Sequence, residues 1–250
     1  MYRWIILCVC VCAAASSAWA QSDQADPGAL QERIVDVREG FSFSVPDTWS
    51  RVPDAEIEML IEMTRPGNPD ASWTFLEGYS PTGTLASTPY MLVQKNRDGF
   101  RRASRAEIIE AFGALELSEV ASTLEESSAG IFDEISIERP VFDEERTRVL
   151  IRAVAGGADG VMDVFMVINL GMDSAIQFNF YTPEGGLENH IGTFNEISDS
   201  FAYAKDSQRW TPPLVATPRG AWRHVINGGI GAAIGLICVL VITLVKKSKG

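Results

Sequence analysis

The chain has 250 residues, and its 33 acidic against 21 basic side chains give a formal net charge of −12. The acidic residues all lie in the region 21–221, so nucleic acid repels this region and nucleic-acid binding is excluded. The same region contains no cysteine, which excludes disulfides, thiolate metal sites and cysteine nucleophiles there, since the four cysteines are Cys8, Cys10, Cys12 and Cys238.

The first twenty residues have the pattern of a secretory signal peptide. A single positive charge, Arg3, precedes the apolar run Trp4–Ala15, and an A-x-A cleavage site ends at Ala20. The sequence therefore predicts cleavage between Ala20 and Gln21, export of the region after the cleavage site, and a mature N-terminal segment over 21–32. The alternative is an uncleaved N-terminal helix, for which the apolar run is short.

An exported domain is predicted over 33–205, and it opens with strand-like runs. Arg33–Val37 and Phe41–Val45 flank an Arg-Glu-Gly turn and are predicted to form a hairpin. In the second run, apolar residues alternate with serines, which predicts one buried face and one wet face. Ile57–Met63 and Trp73–Tyr79 are predicted as two further strands around a Pro-Gly-Asn-Pro turn.

The middle of the domain contains a helical pattern and then a run of strands. Ser104 and Glu107 have the spacing of a capping box, and apolar residues at helical spacing come after them. The stretch Thr88–Asn96 is interpreted as a preceding helix. Four strands with hairpin-length links are predicted next, at Phe132–Phe142, Arg146–Ala155, Val161–Leu170 and Ala175–Tyr181.

A helix is predicted to end the domain. In the strand before it, the apolar residues are expected to face one way and Gln177 and Asn179 the other. Thr182 and Pro183 are predicted to open the helix as N-cap and first-turn proline. Its apolar stripe has helical spacing and consists of Leu187, Ile191, Phe194, Ile197 and Phe201. This order of elements predicts an α+β domain with a mostly antiparallel sheet flanked by helices.

Two short segments carry a resemblance to a known family. FSFSVPDTW at Phe41–Trp49 resembles the aromatic strand, proline turn and tryptophan that open PsbP-like domains. ISDSF at Ile197–Phe201 is similar to the last helix of that family, and the order of elements fits over roughly 33–204. The family comprises extrinsic photosystem subunits, Ran-binding relatives and many bacterial domains of unknown role. The resemblance implies a helix–sheet–helix sandwich that acts by binding a protein partner, and it transfers no functional residue.

The C-terminal part has the pattern of a membrane anchor. A Pro-containing linker is predicted over 206–224, and the uncharged apolar run Val225–Val245 comes directly after it. At 1.5 Å per residue this run makes a helix of about 31 Å, the thickness of the hydrocarbon core of a bilayer. A basic tail over 246–250 ends the chain. With a cleaved signal peptide, the domain lies outside the cytoplasmic membrane of a bacterium and the tail inside.

Small residues share one face of the predicted span. They allow two helix backbones to approach closely, which favours association of the span with itself, as a homodimer, or with another span. The alternative is the ordinary enrichment of glycine in membrane spans. The residues of this face are Gly228, Gly231, Ala232 and Gly235.

Two clusters of charged residues are candidate binding surfaces. One is basic and is interpreted either as a partner or lipid patch or, with more weight, as a solvated loop: Lys95, Arg97, Arg101, Arg102 and Arg105. The other is acidic and lacks the spacing of a calcium loop, so a solvated sheet edge is favoured over metal or acid–base chemistry: Asp133, Glu134, Glu138, Asp143, Glu144 and Glu145.

The domain offers few parts for catalysis. Its one histidine is His190, which lies beside the apolar stripe of the last helix and is interpreted as a partly buried flank residue. No nucleophile elbow is present in the sequence. No cofactor, metal site or enzymatic activity is predicted. The leading hypothesis is a membrane-tethered, non-catalytic protein-binding or assembly module. The alternatives are an exported enzyme that uses carboxylates or His190, and an exported protein with a cleavable C-terminal sorting tail.

Overall fold

A computed structural model describes most of the predicted domain. The described residues are 30–36, 39–64, 73–96, 100, 104–113, 117–118, 121–122, 132–157, 160–205, 209 and 211.

Several predicted features lie outside the described residues: the signal peptide with its cleavage site at Ala20 and Gln21, nearly all of the linker, the apolar run with its small-residue face, and the basic tail. Within the described ranges, no helix is long and apolar enough to cross a membrane.

Eleven strands and three helices form the described fold. The strands are β1 Leu30–Asp36, β2 Phe41–Pro46, β3 Ser50–Arg51, β4 Trp73–Ser80, β5 Tyr90–Asn96, β6 Phe132–Ile137, β7 Val141–Asp143, β8 Arg148–Gly157, β9 Gly160–Asn169, β10 Ala175–Pro183 and β11 Ala202–Tyr203. The helices are α1 Asp54–Thr64, α2 Arg105–Gly113 and α3 Leu187–Asp199.

The strands form one large and one small antiparallel sheet. The large sheet has the order β3-β4-β5-β10-β9-β8-β6, and the short β7 also pairs with β8. The small sheet has the order β1-β2-β11. Strand β10 is central and pairs with β5 on one side and β9 on the other. This arrangement confirms the predicted α+β class with a mostly antiparallel sheet.

Each face of the large sheet is covered by its own hydrophobic core. On one face, α3 and the small sheet enclose aromatic rings, and Phe180 stacks on Phe194 with 4.4 Å between the ring centroids. On the other face, α1 and α2 supply Leu60 and Ile108, which pack with strand residues such as Met166. The aromatic face is dense because rings fill large volumes and pair favourably edge-on or offset.

The first difference from the prediction concerns the segment between β3 and β4. Ile57–Met63 was expected to be a strand, but it lies in helix α1. Ile57 and Leu60 are both buried in the core, and their spacing of three residues places them on one face of a helix. The alternating glutamates misled the sequence interpretation, because a Glu-x-Glu pattern fits an exposed helix face as well as a strand.

The second difference is the reverse case. Thr88–Asn96 was interpreted as a helix, but Tyr90–Asn96 forms strand β5. This strand lies between β4 and β10, and both of its faces are covered. A strand buried on both faces has no alternation of apolar and polar residues, so its pattern does not distinguish it from a helix.

Helix α3 begins later than the sequence predicts. Thr182 and Pro183 end strand β10, and a turn with Gly185 at a φ of 68° separates them from Leu187. The apolar stripe itself is confirmed, since Phe194 and Ile197 are fully buried against the sheet. The four-strand meander is also confirmed, except that its first member is divided into β6 and β7.

The predicted capping box at the start of α2 is confirmed. The backbone N–H of Ser104 donates to Oε2 of Glu107 at 2.8 Å, and the N–H of Glu107 donates to Oγ of Ser104 at 3.3 Å. This reciprocal pair satisfies two N–H groups that a helix start otherwise leaves without partners.

Candidate functional site: a cleft at the end of the last helix

An open cleft of about 270 Å³ lies where β8 begins and where β9 and α3 end. The surface of the cleft is formed by charged, polar and apolar residues. The lining residues are Glu145, Arg146, Thr147, Asn169, Leu170, Ser198, Asp199, Phe201, Ala202, Tyr203 and Arg209.

The β7–β8 turn forms one wall of the cleft and contains an unusual backbone conformation. Thr147 has a φ of 59°, a left-handed value that β-branched residues rarely adopt. Such a conformation costs about 1–3 kcal/mol and persists only where the surroundings hold it in place. Here the carbonyl of Thr147 accepts the N–H of Leu170 at 3.1 Å, and its hydroxyl accepts an N–H of Arg209 at 3.0 Å.

Behind this wall, a network of ion pairs joins the β7–β8 turn to the end of α3. The guanidinium of Arg148 is buried and lies 2.9 Å from Oδ2 of Asp143 through Nε and 2.8 Å from Oδ1 of Asp199 through Nη2. Arg146 contacts Asp199 with two N–H groups, Nε at 3.0 Å and Nη2 at 3.1 Å. Solvent screens the pair of Arg148 and Asp143 little, because both side chains have low exposure, and it screens the more exposed pair of Arg146 and Asp199 more. Arg148, which contacts both carboxylates, joins the two elements.

The opposite wall depends on a glycine that allows a close approach. The Tyr203 hydroxyl donates to the carbonyl of Asn169 at 2.9 Å, and burial raises the pKa of Tyr203, so the hydroxyl stays protonated as a donor. A Cβ on Gly171 would lie 2.7 Å from this hydroxyl and 2.1 Å from the carbonyl oxygen of Ser174. A side chain at position 171 would therefore clash with the backbone of Ser174 and with the hydroxyl of Tyr203.

Arg209, a residue of the predicted linker, lies at the cleft. Nη2 of Arg209 donates to the carbonyl of Glu145 at 2.7 Å and to Oγ1 of Thr147 at 3.0 Å, and Nε also reaches this Oγ1, at 3.2 Å. The backbone of Arg209 forms an antiparallel β-bridge with Gly171. One residue of the predicted linker thus contributes both its side chain and its backbone to the cleft.

The chemistry of the cleft suits recognition. Arg146 and Asp199 on its wall are paired with each other, while the buried Ser198 Oγ has no hydrogen-bond partner within the described part of the chain. The carbonyl of Glu145 and the hydroxyl of Thr147 are acceptors at the cleft, and the Arg209 side chain donates to both. Among the described residues, no group of three or more His, Cys, Asp or Glu side chains is placed to hold a metal ion.

The structure divides the predicted basic patch. Lys95, on β5, pairs with Glu39, and Arg105, on α2, pairs with Glu144. Arg97, Arg101 and Arg102 lie outside the described residues, so the patch as a partner surface stays a prediction.

The other candidate groups are placed in separate parts of the domain. His190, on α3, is half-buried and stacks on Phe194 with centroids 5.9 Å apart, and burial lowers its pKa. Glu134 and Glu138 are exposed at β6, the last strand of the large sheet, whereas Asp143 belongs to the ion-pair network.

Three hydrogen-bonded amide side chains lie in the core. Gln177 donates from Nε2 to Oδ1 of Asn179 at 2.5 Å, and Asn179 donates from Nδ2 to Oε1 of Gln94 at 2.7 Å. We call these three side chains the amide relay. All three side chains are fully buried, so the polar face of β10 is covered as completely as its apolar face.

Sequence reasoning missed both the cleft and the amide relay. Asp199 is 51 residues beyond Arg148, and Gln94 is 83 residues before Gln177, so no local pattern brings these side chains together. The one local signal was the sequence Asp-Glu-Glu-Arg-Thr-Arg at 143–148, which was interpreted as part of a solvated acidic edge.

No protein-family model matches the chain, and no curated protein matches it in a sequence comparison. Solved structures with a similar fold include the solution structure of PsbP from the cyanobacterium Synechocystis sp. PCC 6803. It has 14% sequence identity and a TM-score of 0.45, and the match covers 69% of this chain and 91% of that one.

Two further solved structures are similar at lower scores. A protein from Bacteroides thetaiotaomicron has 9% identity and a TM-score of 0.39, with 72% of this chain and 51% of that one covered. A protein of unknown function from Pseudomonas aeruginosa has 11% identity and a TM-score of 0.32, with 68% and 96% covered. The similarity to the PsbP structure is a weak likeness of fold.

Proposed function

We propose that the protein is a non-catalytic binding or assembly module, held at the outer face of a bacterial cytoplasmic membrane, whose cleft takes a segment of a partner protein. The observation that carries this proposal is the left-handed Thr147 in the wall of an open surface cleft. A strained residue of this kind persists where the surrounding structure fixes it, and such residues cluster at binding sites.

The position of the cleft supports the tethered part of the proposal. Arg209 is in contact with the cleft, so only the residues after it can separate the domain from the predicted span. The segment 210–224, at roughly 3.1 Å per residue if extended, reaches about 47 Å. A tether of this length keeps the cleft near the bilayer surface and raises its encounter rate with other membrane-bound proteins.

Self-association through the span is a further part of the proposal. The face formed by Gly228, Gly231, Ala232 and Gly235 would bring two tethered domains together, and two clefts would then act on one partner assembly. Paired binding sites raise the apparent affinity when the geometry allows both to engage.

Photo-crosslinking of the full chain in its membrane tests the proposed function. A benzoylphenylalanine side chain replaces Glu145 on the cleft wall in one variant and the exposed Glu58 on helix α1 in the matched control. We expect a discrete crosslinked species of higher mass with the cleft variant, and none with the control. The same product from both positions, or no product from the cleft position, contradicts the proposal.

A further inference from the structure

We propose that the cleft recognises an arginine side chain carried on an extended segment, and that Arg209 of the chain itself occupies this position until a partner segment displaces it. This inference rests on the proposed function, because it names the partner chemistry and the regulation of the same cleft. The geometry of Arg209 is the evidence for it.

The acceptors in the cleft match the guanidinium group. Nε and Nη2 lie on one edge of the planar group, and both donate to Oγ1 of Thr147, at 3.2 and 3.0 Å. Nη2 also donates to the carbonyl of Glu145 at 2.7 Å. A lysine ammonium is a single point donor without this edge, so it cannot make the same set of contacts.

The conformation of Thr147 contributes to the acceptor site. Its left-handed backbone, with a φ of 59°, occurs at the residue whose hydroxyl accepts both guanidinium N–H groups. The nearby Glu145 supplies its carbonyl from the same turn and is itself a lining residue of the cleft. The negative charge of this residue favours a cationic occupant over a neutral one.

The backbone contact defines the shape of the occupant. The backbone of Arg209 pairs with that of Gly171 as an isolated antiparallel bridge, which is the pairing that a residue of an extended strand makes. Binding of an extended segment through backbone pairing, with a side chain in a pocket, is a common way for proteins to recognise peptides. An arginine on such a segment of a partner would make the contacts that Arg209 makes.

The contact with Arg209 is suited to exchange. The guanidinium of Arg209 donates to two neutral acceptors, the backbone carbonyl of Glu145 and the hydroxyl of Thr147, and Arg209 is exposed. Exposed hydrogen bonds to neutral acceptors contribute little in water, because water replaces them at a similar free energy. Arg209 occupies the acceptors because its attachment to the chain gives it a high local concentration there. A partner segment held at the same membrane also has a raised local concentration, so it can compete with Arg209 for these acceptors.

Peptide binding to the full chain in detergent micelles tests the inference. The probe is the blocked pentapeptide Ser-Gln-Arg-Trp-Thr, which is the chain's own sequence at 207–211, measured by saturation-transfer NMR at millimolar concentration. We expect Arg209→Ala to bind this peptide at least fivefold more tightly than the wild-type chain does. In the Arg209→Ala background, a peptide with lysine in place of arginine should bind at least fivefold more weakly, and Thr147→Val should weaken the arginine peptide by a similar factor.

Each outcome decides the question. Equal affinity of the wild-type chain and Arg209→Ala, equal affinity for the two peptides, or no binding by a folded Arg209→Ala variant overturns the arginine inference. A cleft-specific photo-crosslink that persists in any of these cases leaves the proposed binding function standing. Loss of both the peptide binding and the crosslink removes the proposed function as well.

Discussion

Arg148 joins two carboxylates that come from different parts of the chain. It is 5% exposed and lies between Asp143, which ends β7, and Asp199, which ends α3. A buried ion pair gains little over a hydrophobic contact, but removal of one partner leaves a charge without compensation. Arg148 therefore sets the position of the cleft walls relative to each other.

Replacement of this arginine should destabilise the domain strongly. Arg148→Met keeps the volume of the side chain but leaves Asp143 and Asp199 with fewer cationic partners, and we expect a loss of about 3 kcal/mol in the free energy of unfolding. Arg152→Met is the matched control, because Arg152 forms an exposed pair with Glu188 that contributes less than about 1 kcal/mol. Urea denaturation measures both, and equal losses would contradict the role assigned to Arg148.

The stability of the domain should depend on His190 at mildly acidic pH. Burial lowers the pKa of this histidine in the folded state, so the unfolded chain takes up a proton first as the pH falls below about 6.5. Protonation then favours unfolding, and the loss stops growing once the pH is below the folded pKa. Between pH 7.5 and 5, we expect the wild-type chain to lose more free energy of unfolding than His190→Gln. Parallel stability curves would show that His190 is not the cause.

At the level of whole elements, helices with a local sequence signal were predicted from the sequence. The start of α2 was predicted from the spacing of Ser104 and Glu107, and α3 was predicted from its apolar stripe at helical spacing. Helix α1 was predicted as a strand and strand β5 as a helix, since neither segment shows clearly the periodicity of apolar residues that is typical of its structure. Strand β10 was predicted, but the burial of its polar face was not, because that depends on helices far away in the sequence.

The amide relay should be a sensitive point of the strand pairing. Asn179→Leu removes the hydrogen-bond partners of Gln94 and Gln177, both fully buried, and two such losses should cost about 2–4 kcal/mol. The control is Asn195→Leu on the exposed side of α3, which should stay within about 0.5 kcal/mol of the wild-type chain. Urea denaturation of both variants decides, and a loss below about 1 kcal/mol for Asn179→Leu would show that the relay contributes little.

For the whole molecule, the candidate site could be predicted less well than the fold. The cleft brings together a turn at 144–147, the end of β9, the end of α3 and the root of the linker. None of these segments has a sequence pattern that indicates the others. The signal peptide and the apolar span rest on continuous local patterns of the sequence, and both stay predictions because they lie outside the described residues.

The predicted orientation of the whole chain can be tested by thiol labelling. The domain contains no cysteine, so Cys238→Ala and removal of the signal peptide would leave the mature chain without thiols. Ala86→Cys then places a single thiol at an exposed position of the domain, and Ser248→Cys places one in the basic tail. In intact cells of a Gram-negative host, a maleimide that cannot cross the cytoplasmic membrane should label the first variant directly and the second only after permeabilisation. Labelling of the tail alone would place the domain in the cytoplasm, where a cleft facing an exported partner could not act.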